Sequence, residues 1–378
     1  MKLFDVYSLL DMEPVKAQGA YLWDKAGQEY LDFYGGHAVI SIGHTHPHYV
    51  EKISEQLSKI GFYSNAVINS LQVELAEKLG ALSGYDDYSL FLCNSGAEAN
   101  ENALKLASFT TGRERVLAMR SAFHGRTSLA VTVTDNPAIQ APVNKTDKVS
   151  FIPFNDAEAL RKELSSGKYA AVIVEPIQGV GGIQVATDEF MLAAREACDA
   201  TGTMLIADEI QAGYGRSGKF FSHQWSGVKA DIITLAKGIG NGFPIGAVMI
   251  SPSIPAKKGM LGTTFGGSHL ACAAAIAVAD VVKDENLVEN ARVMGEKIMT
   301  GIAGVSGVKD IRGRGLIIGI DLSVPQADFR KVLREKHHIM TGLTGQYTLR
   351  LLPPLMIGQA EADRFVEAFR ATAQEMGM

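Results

Sequence analysis

Long apolar runs, clustered charge and paired cysteines are all missing from this chain of 378 residues. No apolar run approaches the roughly 20 residues that a membrane-spanning helix needs, and the first residues, Met1–Asp5, lack the pattern of a secretion signal. Lys and Arg total 36 against 41 Asp and Glu, and these charges are scattered rather than gathered into a basic patch. We therefore expect a cytoplasmic globular protein with no nucleic-acid or membrane partner.

Cysteine usage is also sparse. The three cysteines, Cys93, Cys198 and Cys272, lie far apart and form no C-x-x-C pair. This spacing excludes a disulfide framework and a zinc knuckle, and it suits a reducing compartment. The G-x-S-x-G motif of many serine hydrolases is absent as well. With 47 % hydrophobic residues, the chain is long enough for a large domain and a smaller companion.

What is present in the middle of the chain is an alternation of short apolar runs and longer helical patterns. Several of the runs are apolar at every position, as is typical of strands covered on both faces. Strands are predicted at Ser89–Cys93, Arg115–Met119, Leu129–Thr134, Ala170–Glu175, Met204–Asp208, Asp231–Ala236 and Ile245–Ile250, with helices such as Ala97–Ala107 and Glu189–Ala200 between them. The fold class is therefore α/β, with a mostly parallel seven-stranded sheet between helices.

The pattern changes after about residue 265. Helical periodicity runs from Leu287 to Ile302 and from Ala362 to Met376, with short strand candidates at Gly315–Asp321 and Thr348–Leu352. We expect a smaller α+β domain over residues 266–378, a large domain over residues 46–265, and an N-terminal arm over residues 1–45 that forms part of the small domain.

Gly213–Gly218 satisfies G-x-G-x-x-G and nearly satisfies a Walker A loop ending at Lys219. Both nucleotide-binding motifs require a helix directly afterwards, and a Walker A loop also requires Ser or Thr after the lysine. Here Phe220 follows, and the next residues have no helical stripe. A tight glycine-rich turn is the better interpretation, which leaves a nucleotide-binding oxidoreductase as a distant alternative.

His44, His46 and His48 alternate, so an extended segment would place them on one side. A metal site needs further ligands, however, and no carboxylate or thiolate lies nearby in the sequence. Pro47 favours a turn or the start of a helix. We therefore predict no metal site.

Three polar groups follow predicted strands: Asn94–Ala97, Asp208 and Lys237. Ligands of open α/β sheets gather at the carboxyl ends of the strands, so these groups are expected to converge. Taken singly, each has a common structural use, because an aspartate after a strand is often a helix cap and a lysine there is usually a loop charge.

Together these groups match the chemical handles of one ligand. Gly96 and Ala97 at a helix N-terminus favour a phosphate, and Gly96 has no Cβ to hold that phosphate away. Asp208 beside a pyridine nitrogen would keep the nitrogen protonated. Lys237, partly desolvated among glycines, would have a lowered pKa and could form an imine with an aldehyde. Phosphate, pyridinium and aldehyde indicate pyridoxal 5'-phosphate.

Five ordered motifs carry a family resemblance from about Asp5 to the C-terminus. The chain resembles the class III (ornithine-type) aminotransferases, and within them the N-acetylornithine-using branch, through the segments Asn94–Asn100, Phe123–Thr127, Glu175–Gly179, Asp208–Gln211 and Ala236–Gly238. The resemblance implies a fold-type I pyridoxal-phosphate transferase of arginine biosynthesis. It would move the ω-amino group of N-acylornithine to 2-oxoglutarate, giving N-acylglutamate semialdehyde and glutamate. Ornithine, 4-aminobutyrate and N-succinyldiaminopimelate are the alternative donors.

The resemblance also implies roles for single residues around the cofactor. Lys237 would carry the cofactor as a Schiff base and move the proton. Asp208 would pair with the pyridine nitrogen, Gln211 would lie near the phenolic oxygen, and Phe123 would stack on the ring.

Phosphate and substrate contacts follow from the same resemblance. Gly96, Ala97 and Thr264 would hold the phosphate, with the threonine supplied by a neighbouring subunit, so a homodimer with shared sites is implied. Thr263 would touch the substrate. Arg126 would bind the α-carboxylate of the acylated ornithine and Arg350 that of glutamate, because the guanidinium fork suits carboxylates.

Val180 departs from the family pattern, which commonly has Glu after Gln178-Gly179. In ornithine-type relatives that glutamate masks the second arginine while an ω-amino substrate is bound. Arg350 has therefore lost its usual counter-charge, and an uncompensated buried cation costs several kcal/mol in general. For this reason an N-succinyl substituent stays open beside N-acetyl.

Overall fold

The computed structural model describes all 378 residues and contains two seven-stranded sheets and one two-stranded ribbon. The strands are β1 Pro14–Gln18, β2 Tyr21–Asp24, β3 Glu29–Phe33, β4 Ser89–Cys93, β5 Arg115–Met119, β6 Val149–Ile152, β7 Tyr169–Val174, β8 Ile177–Gln178, β9 Gln184–Val185, β10 Met204–Asp208, β11 Ile232–Leu235, β12 Gly246–Ile250, β13 Val308–Arg314, β14 Ile317–Leu322, β15 Ile339–Thr344 and β16 Thr348–Leu351. The helices are α1 Gly35–Ala38, α2 Pro47–Lys59, α3 Ser70–Ser83, α4 Gly96–Thr111, α5 Ser128–Thr132, α6 Ala157–Leu164, α7 Asp188–Thr201, α8 His269–Asp284, α9 Leu287–Ile302, α10 Gln326–His337 and α11 Gln359–Glu375.

The first sheet has the order β4-β12-β11-β10-β7-β5-β6. Only β12 runs antiparallel to its neighbours, and the other adjacent pairs are parallel. Every residue of β7 is buried, because helices cover both faces of the sheet. The predicted α/β class and the mostly parallel seven-stranded sheet are confirmed.

One predicted strand of this sheet is wrong. Leu129–Thr134 forms most of α5 instead, and the seventh strand is β6, which the sequence reading missed. A short apolar run with β-branched residues does not distinguish a strand from a buried helical turn. The helix begins here because the Glu101 carboxylate accepts from the N–H groups of Leu129 and Ala130 at 2.6 and 3.0 Å. That partner lies on α4 and is invisible to a local pattern.

The second sheet has the order β1-β2-β3-β15-β16-β14-β13. Its two halves come from opposite ends of the chain and meet where β3 pairs in parallel with β15. The predicted helices near the C-terminus are present as α9 and α11. Phe33 of β3 stacks on Phe365 of α11 with ring centroids 4.6 Å apart, which ties the arm to the C-terminal helix.

A buried arginine joins the two sheets. Arg216 is 2 % exposed and donates to three carbonyl oxygens, those of Leu316, Pro353 and Ile40, at 2.8 to 3.2 Å. Burial lowers the pKa of this guanidinium to about 9, with Asp32 opposing the shift. The loop Gly213–Gly218 therefore connects the layers, and only a short 3-10 turn, Ser222–Ser226, follows it. The interpretation as a glycine-rich turn is confirmed.

The three alternating histidines each contact a different carboxylate. His44 Nε2 lies 2.9 Å from Asp32, His46 Nε2 lies 2.9 Å from Glu285, and His48 Nε2 lies 3.3 Å from Asp280. Each of the three histidines therefore bonds to its own carboxylate, and the three do not form a cluster. No group of three or more metal-ligating side chains occurs in the structure. None of the helices has both the length and the apolarity needed to cross a membrane.

Candidate active site

A cavity of about 430 Å³ opens at the carboxyl ends of the first sheet. This volume is within the range of small-molecule sites. Most of the predicted site residues line it, namely Gly96, Ala97, Phe123, Arg126, Asp208, Gln211 and Lys237. Strand order explains the convergence, because β10 and β11 are parallel neighbours and end at the same edge.

Lys237 lies two residues beyond the end of β11, and its side-chain amine makes no hydrogen bond or ion pair. Its backbone φ is 49°, in the left-handed region that residues with a Cβ rarely adopt. Such strain persists where the surroundings enforce it and is common at functional sites. Burial lowers the pKa of the amine to about 8, opposed by Asp208 and Glu175. The neutral, nucleophilic amine is therefore accessible near neutral pH.

The N-terminus of α4 presents two unused donors to the cavity. Ser95 caps the helix by accepting from the Glu98 N–H at 3.2 Å, whereas the N–H groups of Gly96 and Ala97 have no acceptor. Free N–H groups at a helix start bind phosphate well. A Cβ at residue 96 would lie 3.0 Å from the Ile210 side chain, so packing also explains the glycine there.

Gly125 lets the loop after β5 approach this helix end. Its φ is 135°, and a Cβ there would lie 2.9 Å from the Cβ of Ala97. The same loop carries Phe123, whose half-buried side chain lines the cavity, and Arg126, which is exposed and makes no ion pair. One glycine thus allows an aromatic side chain and an unpaired guanidinium to lie beside the N-terminus of α4.

Asp208 ends β10 and is 4 % exposed. Its Oδ2 accepts from Asn100 Nδ2 at 2.8 Å and from His124 Nδ1 at 2.7 Å, and its Oδ1 accepts from the Ile210 N–H at 3.1 Å. Neither Asn100 nor His124 was predicted as a site residue, although both lie in motifs of the family resemblance, Asn94–Asn100 and Phe123–Thr127. Their contacts with Asp208 cross 108 and 84 positions of sequence, so no local pattern could reveal them.

Glu175 is a second carboxylate that sequence reasoning missed. It follows β7 directly, lines the cavity, and accepts from the Phe123 N–H at 3.3 Å. Burial raises the pKa of this carboxyl to about 7, with His124 opposing the shift and Asp208 reinforcing it. The signal that could have found it is the one that found Asp208: an acidic residue directly after a buried strand.

Gln211 is held beside the cavity by the loop after β8. Its Nε2 donates to the carbonyl of His37 at 3.2 Å, while its buried Oε1 has no partner. A Cβ at residue 179 would lie 1.8 Å from that oxygen, so a larger residue there would require the Gln211 side chain to move. The unpartnered oxygen leaves this amide with unused hydrogen-bonding capacity.

Arg350 on β16 does not line the cavity but lies behind its wall. It is 5 % exposed, its Nη1 donates to the Gly179 carbonyl at 2.9 Å, and its Nε has no partner. Burial lowers the pKa of this guanidinium, and nearby Tyr34 and Glu175 oppose that shift. No carboxylate forms an ion pair with it, as expected with valine at residue 180.

The loop of residues 179–182 is fastened to the second sheet through its carbonyl groups. Arg350 donates to Gly179, Thr344 to Val180, and Arg312 to Gly182. Val180 itself lines the cavity and is 45 % exposed. The wall of the cavity therefore depends on three side chains from three strands of the other sheet.

Besides Arg350, two predicted residues lie apart from the cavity of the single chain. Thr264 is exposed in the segment before α8, and Thr263 lines a separate cavity. Thr263 Oγ1 accepts from Asn94 Nδ2 at 3.2 Å, so it lies one residue beyond the cavity wall. The chain by itself does not bring Thr264 to the phosphate cradle.

The unused groups of the cavity fit pyridoxal phosphate. Two free N–H groups suit its phosphate, and the unpaired Lys237 amine suits its aldehyde. Asp208 retains an acceptor for a protonated ring nitrogen, and Gln211 retains an unpartnered amide oxygen. These demands come from separate parts of one ligand and are met within one cavity.

Comparison with known proteins agrees with this chemistry. Residues 6–372 match the model of the family described as aminotransferase class III. The acetylornithine aminotransferase of Methanosarcina mazei is 40 % identical over 356 residues, which cover 93 % of this chain and 89 % of that protein. The acetylornithine aminotransferase of Corynebacterium efficiens is 39 % identical over 385 residues, covering 99 % and 95 %.

Solved structures show the same fold. Ornithine aminotransferase from Toxoplasma gondii superposes with a TM-score of 0.93 at 29 % identity, covering 99 % of this chain and 93 % of that one. Acetylornithine aminotransferase from Elizabethkingia anophelis gives a TM-score of 0.88 at 32 % identity, covering 98 % and 96 %. Another Toxoplasma gondii structure, with a TM-score of 0.91 at 30 % identity and coverage of 99 % and 94 %, has pyridoxal phosphate at partial occupancy in its active site. This chain therefore belongs to the class III aminotransferases, with pyridoxal phosphate as its cofactor.

Proposed function

We propose that this aminotransferase moves the δ-amino group of N-acetylornithine to 2-oxoglutarate, giving N-acetylglutamate semialdehyde and glutamate. The observation that carries the proposal is the unpaired Lys237 amine, with its pKa lowered to about 8, in the same cavity as Asp208 and a free helix N-terminus. The choice of N-acetylornithine is supported by relatives of that name at about 40 % identity over most of the chain.

Lys237 is proposed as the catalytic residue. When bound, pyridoxal phosphate supplies an aldehyde that takes up the amino group and a ring that delocalises negative charge. The Lys237 amine would hold the cofactor through its aldehyde in the resting enzyme. With the substrate amine in its place, Lys237 Nζ would move a proton from the δ-carbon of N-acetylornithine to the cofactor. A pKa near 8 suits an amine that must both take and give a proton near neutral pH.

The remaining cofactor contacts are assigned by chemistry. The N–H groups of Gly96 and Ala97 would hold the phosphate, and Phe123 would stack on the ring. Asp208 would pair with the ring nitrogen, and Gln211 would lie near the phenolic oxygen. The free helix end and the buried carboxylate support these roles.

Carboxylates of the substrates are proposed to bind the two arginines. Arg126 is exposed at the cavity and has no ion pair, which leaves its guanidinium available for the α-carboxylate of the acylated ornithine. Arg350, whose Nε is buried without a partner behind the wall at Gly179, would bind the α-carboxylate of glutamate if that wall moves aside. Thr263, next to Asn94 of the cavity wall, would touch the substrate.

A homodimer is proposed, in which Thr264 of one copy completes the phosphate site of the other. Its support is the exposure of Thr264 beside Phe265, which is 62 % exposed and lies against the exposed Phe62 with ring centroids 5.2 Å apart. Large exposed aromatic groups of this kind mark interaction surfaces. We also propose a division into an arm, a large domain and a small domain near residues 45 and 265.

N-Succinylornithine is the second candidate donor, because Val180 removes the usual counter-charge of Arg350. A panel of donors tests the choice, with 2-oxoglutarate as acceptor and glutamate as the measured product. It comprises N-acetylornithine, N-succinylornithine, ornithine, 4-aminobutyrate and N-succinyldiaminopimelate. We expect the highest kcat/KM with N-acetylornithine. A higher value with any other donor would replace the proposed substrate, and no glutamate from any of them would refute the whole set.

A further inference from the structure

We propose that Asn100 and His124 are positioning residues, which fix the Asp208 carboxylate in place for the ring nitrogen of the cofactor. The inference rests on the proposed role of Asp208 and extends it to two side chains that do not touch the cofactor nitrogen themselves. Both lie on separate parts of the fold, Asn100 within α4 and His124 in the loop after β5.

The hydrogen bonds of Asp208 leave it one acceptor site. Its Oδ2 receives Asn100 Nδ2 at 2.8 Å and His124 Nδ1 at 2.7 Å, which uses both lone pairs of that oxygen. Its Oδ1 receives only the Ile210 N–H at 3.1 Å. The remaining lone pair therefore belongs to Oδ1. Turning the carboxylate would break two short bonds to a charged group, which are stronger than neutral ones.

The orientation of Asn100 follows from the chemistry of its neighbours. Its Nδ2 lies 2.7 Å from the His124 carbonyl and 2.8 Å from Asp208 Oδ2, and both of these groups only accept. Its Oδ1 therefore faces the Thr234 hydroxyl, which donates at 2.8 Å. Thr234 is the register partner of Asp208 on the adjacent strand β11. The fold thus sets the Asn100 amide before any cofactor binds.

The imidazole of His124 is hydrogen-bonded through only one of its two nitrogens. Its Nδ1 carries a proton, because the Asp208 carboxylate can only accept, while its buried Nε2 has no partner. Its backbone N–H donates to Thr134 Oγ1 at 2.9 Å, which fixes the main chain at this point. Asn100 and His124 therefore hold the Asp208 carboxylate in one orientation from two separate parts of the fold.

The test measures how strongly the full-length protein discriminates the ring nitrogen. After removal of the cofactor, binding of pyridoxal phosphate is compared with binding of 1-deazapyridoxal phosphate, which has C–H in place of that nitrogen. The Kd of the deaza compound divided by the Kd of pyridoxal phosphate reports the contact between the ring nitrogen and Asp208, and a strong contact gives a large ratio. We expect Asn100→Ala and His124→Leu each to reduce the ratio by roughly tenfold, the effect of losing one bond to a charged group. A role in packing alone would weaken both ligands equally and leave the ratio unchanged.

Two milder variants keep the inference testable if a severe one fails to fold. His124→Asn retains a donor near the place of Nδ1 and is expected to recover most of the ratio. Thr234→Val removes the hydroxyl that orients Asn100 without touching Asp208, and we expect a fall of about threefold, since the bond lost is neutral. If His124→Leu and Asn100→Ala both fold, unchanged ratios in both would overturn the inference. If only one of these two folds, an unchanged ratio in that variant and in Thr234→Val would overturn it.

Two further proteins separate the failure of this inference from that of the proposed function. Asp208→Asn must itself collapse the ratio; if it does not, the proposed role of Asp208 fails. If Asp208→Asn collapses the ratio while Asn100→Ala and His124→Leu do not, only the positioning role fails. His223→Leu is the matched control, because His223 also donates from Nδ1 to a buried carboxylate at 2.7 Å, yet away from the cavity. Its ratio should equal that of the unchanged protein.

Discussion

This molecule contains two buried histidine–carboxylate pairs, whose acidic residues Asp208 and Glu209 are consecutive in the sequence. His124 contacts Asp208 and His223 contacts Glu209, each through Nδ1 at 2.7 Å, and neither histidine side chain is exposed. By distance and burial the pairs are alike. Only the first faces the cavity, because the alternation along the chain sends Asp208 and Glu209 in different directions.

The pair at Glu209 is closed. Its carboxylate also accepts from the N–H groups of Ser222 and His223 and from the Ser222 hydroxyl, and His223 Nε2 lies 2.7 Å from the Tyr85 hydroxyl. The pair at Asp208 is open, since Asp208 keeps one acceptor site and His124 Nε2 has no partner. The difference teaches that unsatisfied capacity, more than burial or charge, marks the functional member of two similar pairs.

The largest effect on turnover is expected from removing the amine of Lys237, which lines the same cavity as the open pair. Lys237→Ala should lower turnover by about 10⁴-fold, the upper range for loss of a positioned acid–base group. The visible absorbance of the lysine-bound cofactor should disappear as well. Glutamate formation and the absorbance spectrum measure the two results. A variant that keeps either one would exclude Lys237 as the attachment point.

The closed pair should affect stability instead of chemistry. Glu209→Ala leaves the donors of Ser222 and His223 buried without a partner, so we expect the free energy of unfolding to fall by about 3–5 kcal/mol. Denaturant unfolding measures this loss. Turnover per folded molecule should stay within about twofold, since Glu209 does not line the cavity. Lost turnover at unchanged stability would break the comparison.

Glu175, which lines the cavity together with Asp208, predicts a pH dependence of stability. Its pKa is raised to about 7 from an ordinary value of 4.5, so the folded chain retains a proton that the unfolded chain releases between these values. Stability that is present below pH 4.5 is therefore lost as the pH rises towards 7, by up to about 3 kcal/mol. Unfolding of the cofactor-free protein between pH 5 and 7 measures the slope, and Glu175→Gln should flatten it. An equal slope in both proteins would assign the dependence to other groups.

The smallest effect sharpens the distinction between closed and open. Tyr85→Phe removes the hydroxyl that completes the closed pair, and the loss of one buried hydrogen bond should cost about 1 kcal/mol. Thermal unfolding detects such a change. No equivalent hydroxyl can be removed at His124, whose Nε2 is unpartnered. Full stability in Tyr85→Phe would show that the pair at Glu209 does not depend on closure.

The sequence could predict the position of a residue that is placed by the strand it follows, but not of a residue whose role depends on a partner far away in the chain. Asp208 and Lys237 follow buried strands, so their positions at one sheet edge were predictable. Asn100 and His124 act through partners about a hundred residues away, and Glu101 determines α5 from another helix. Local periodicity contains no record of such contacts, which is why the roles of Asn100 and His124 were missed and why a strand was wrongly predicted at residues 129–134, where the structure has α5.

The attachment of the loop at residues 179–182 to the second sheet has a consequence for shortened proteins. Thr344, which holds the Val180 carbonyl, ends β15, and β15 pairs along its edge with β3 of the N-terminal arm. A protein that begins at Tyr34 would retain every cavity-lining residue and still lose β3, the parallel neighbour of β15. The first 33 residues therefore support the active-site wall through β3 and β15, although none of them lines the cavity.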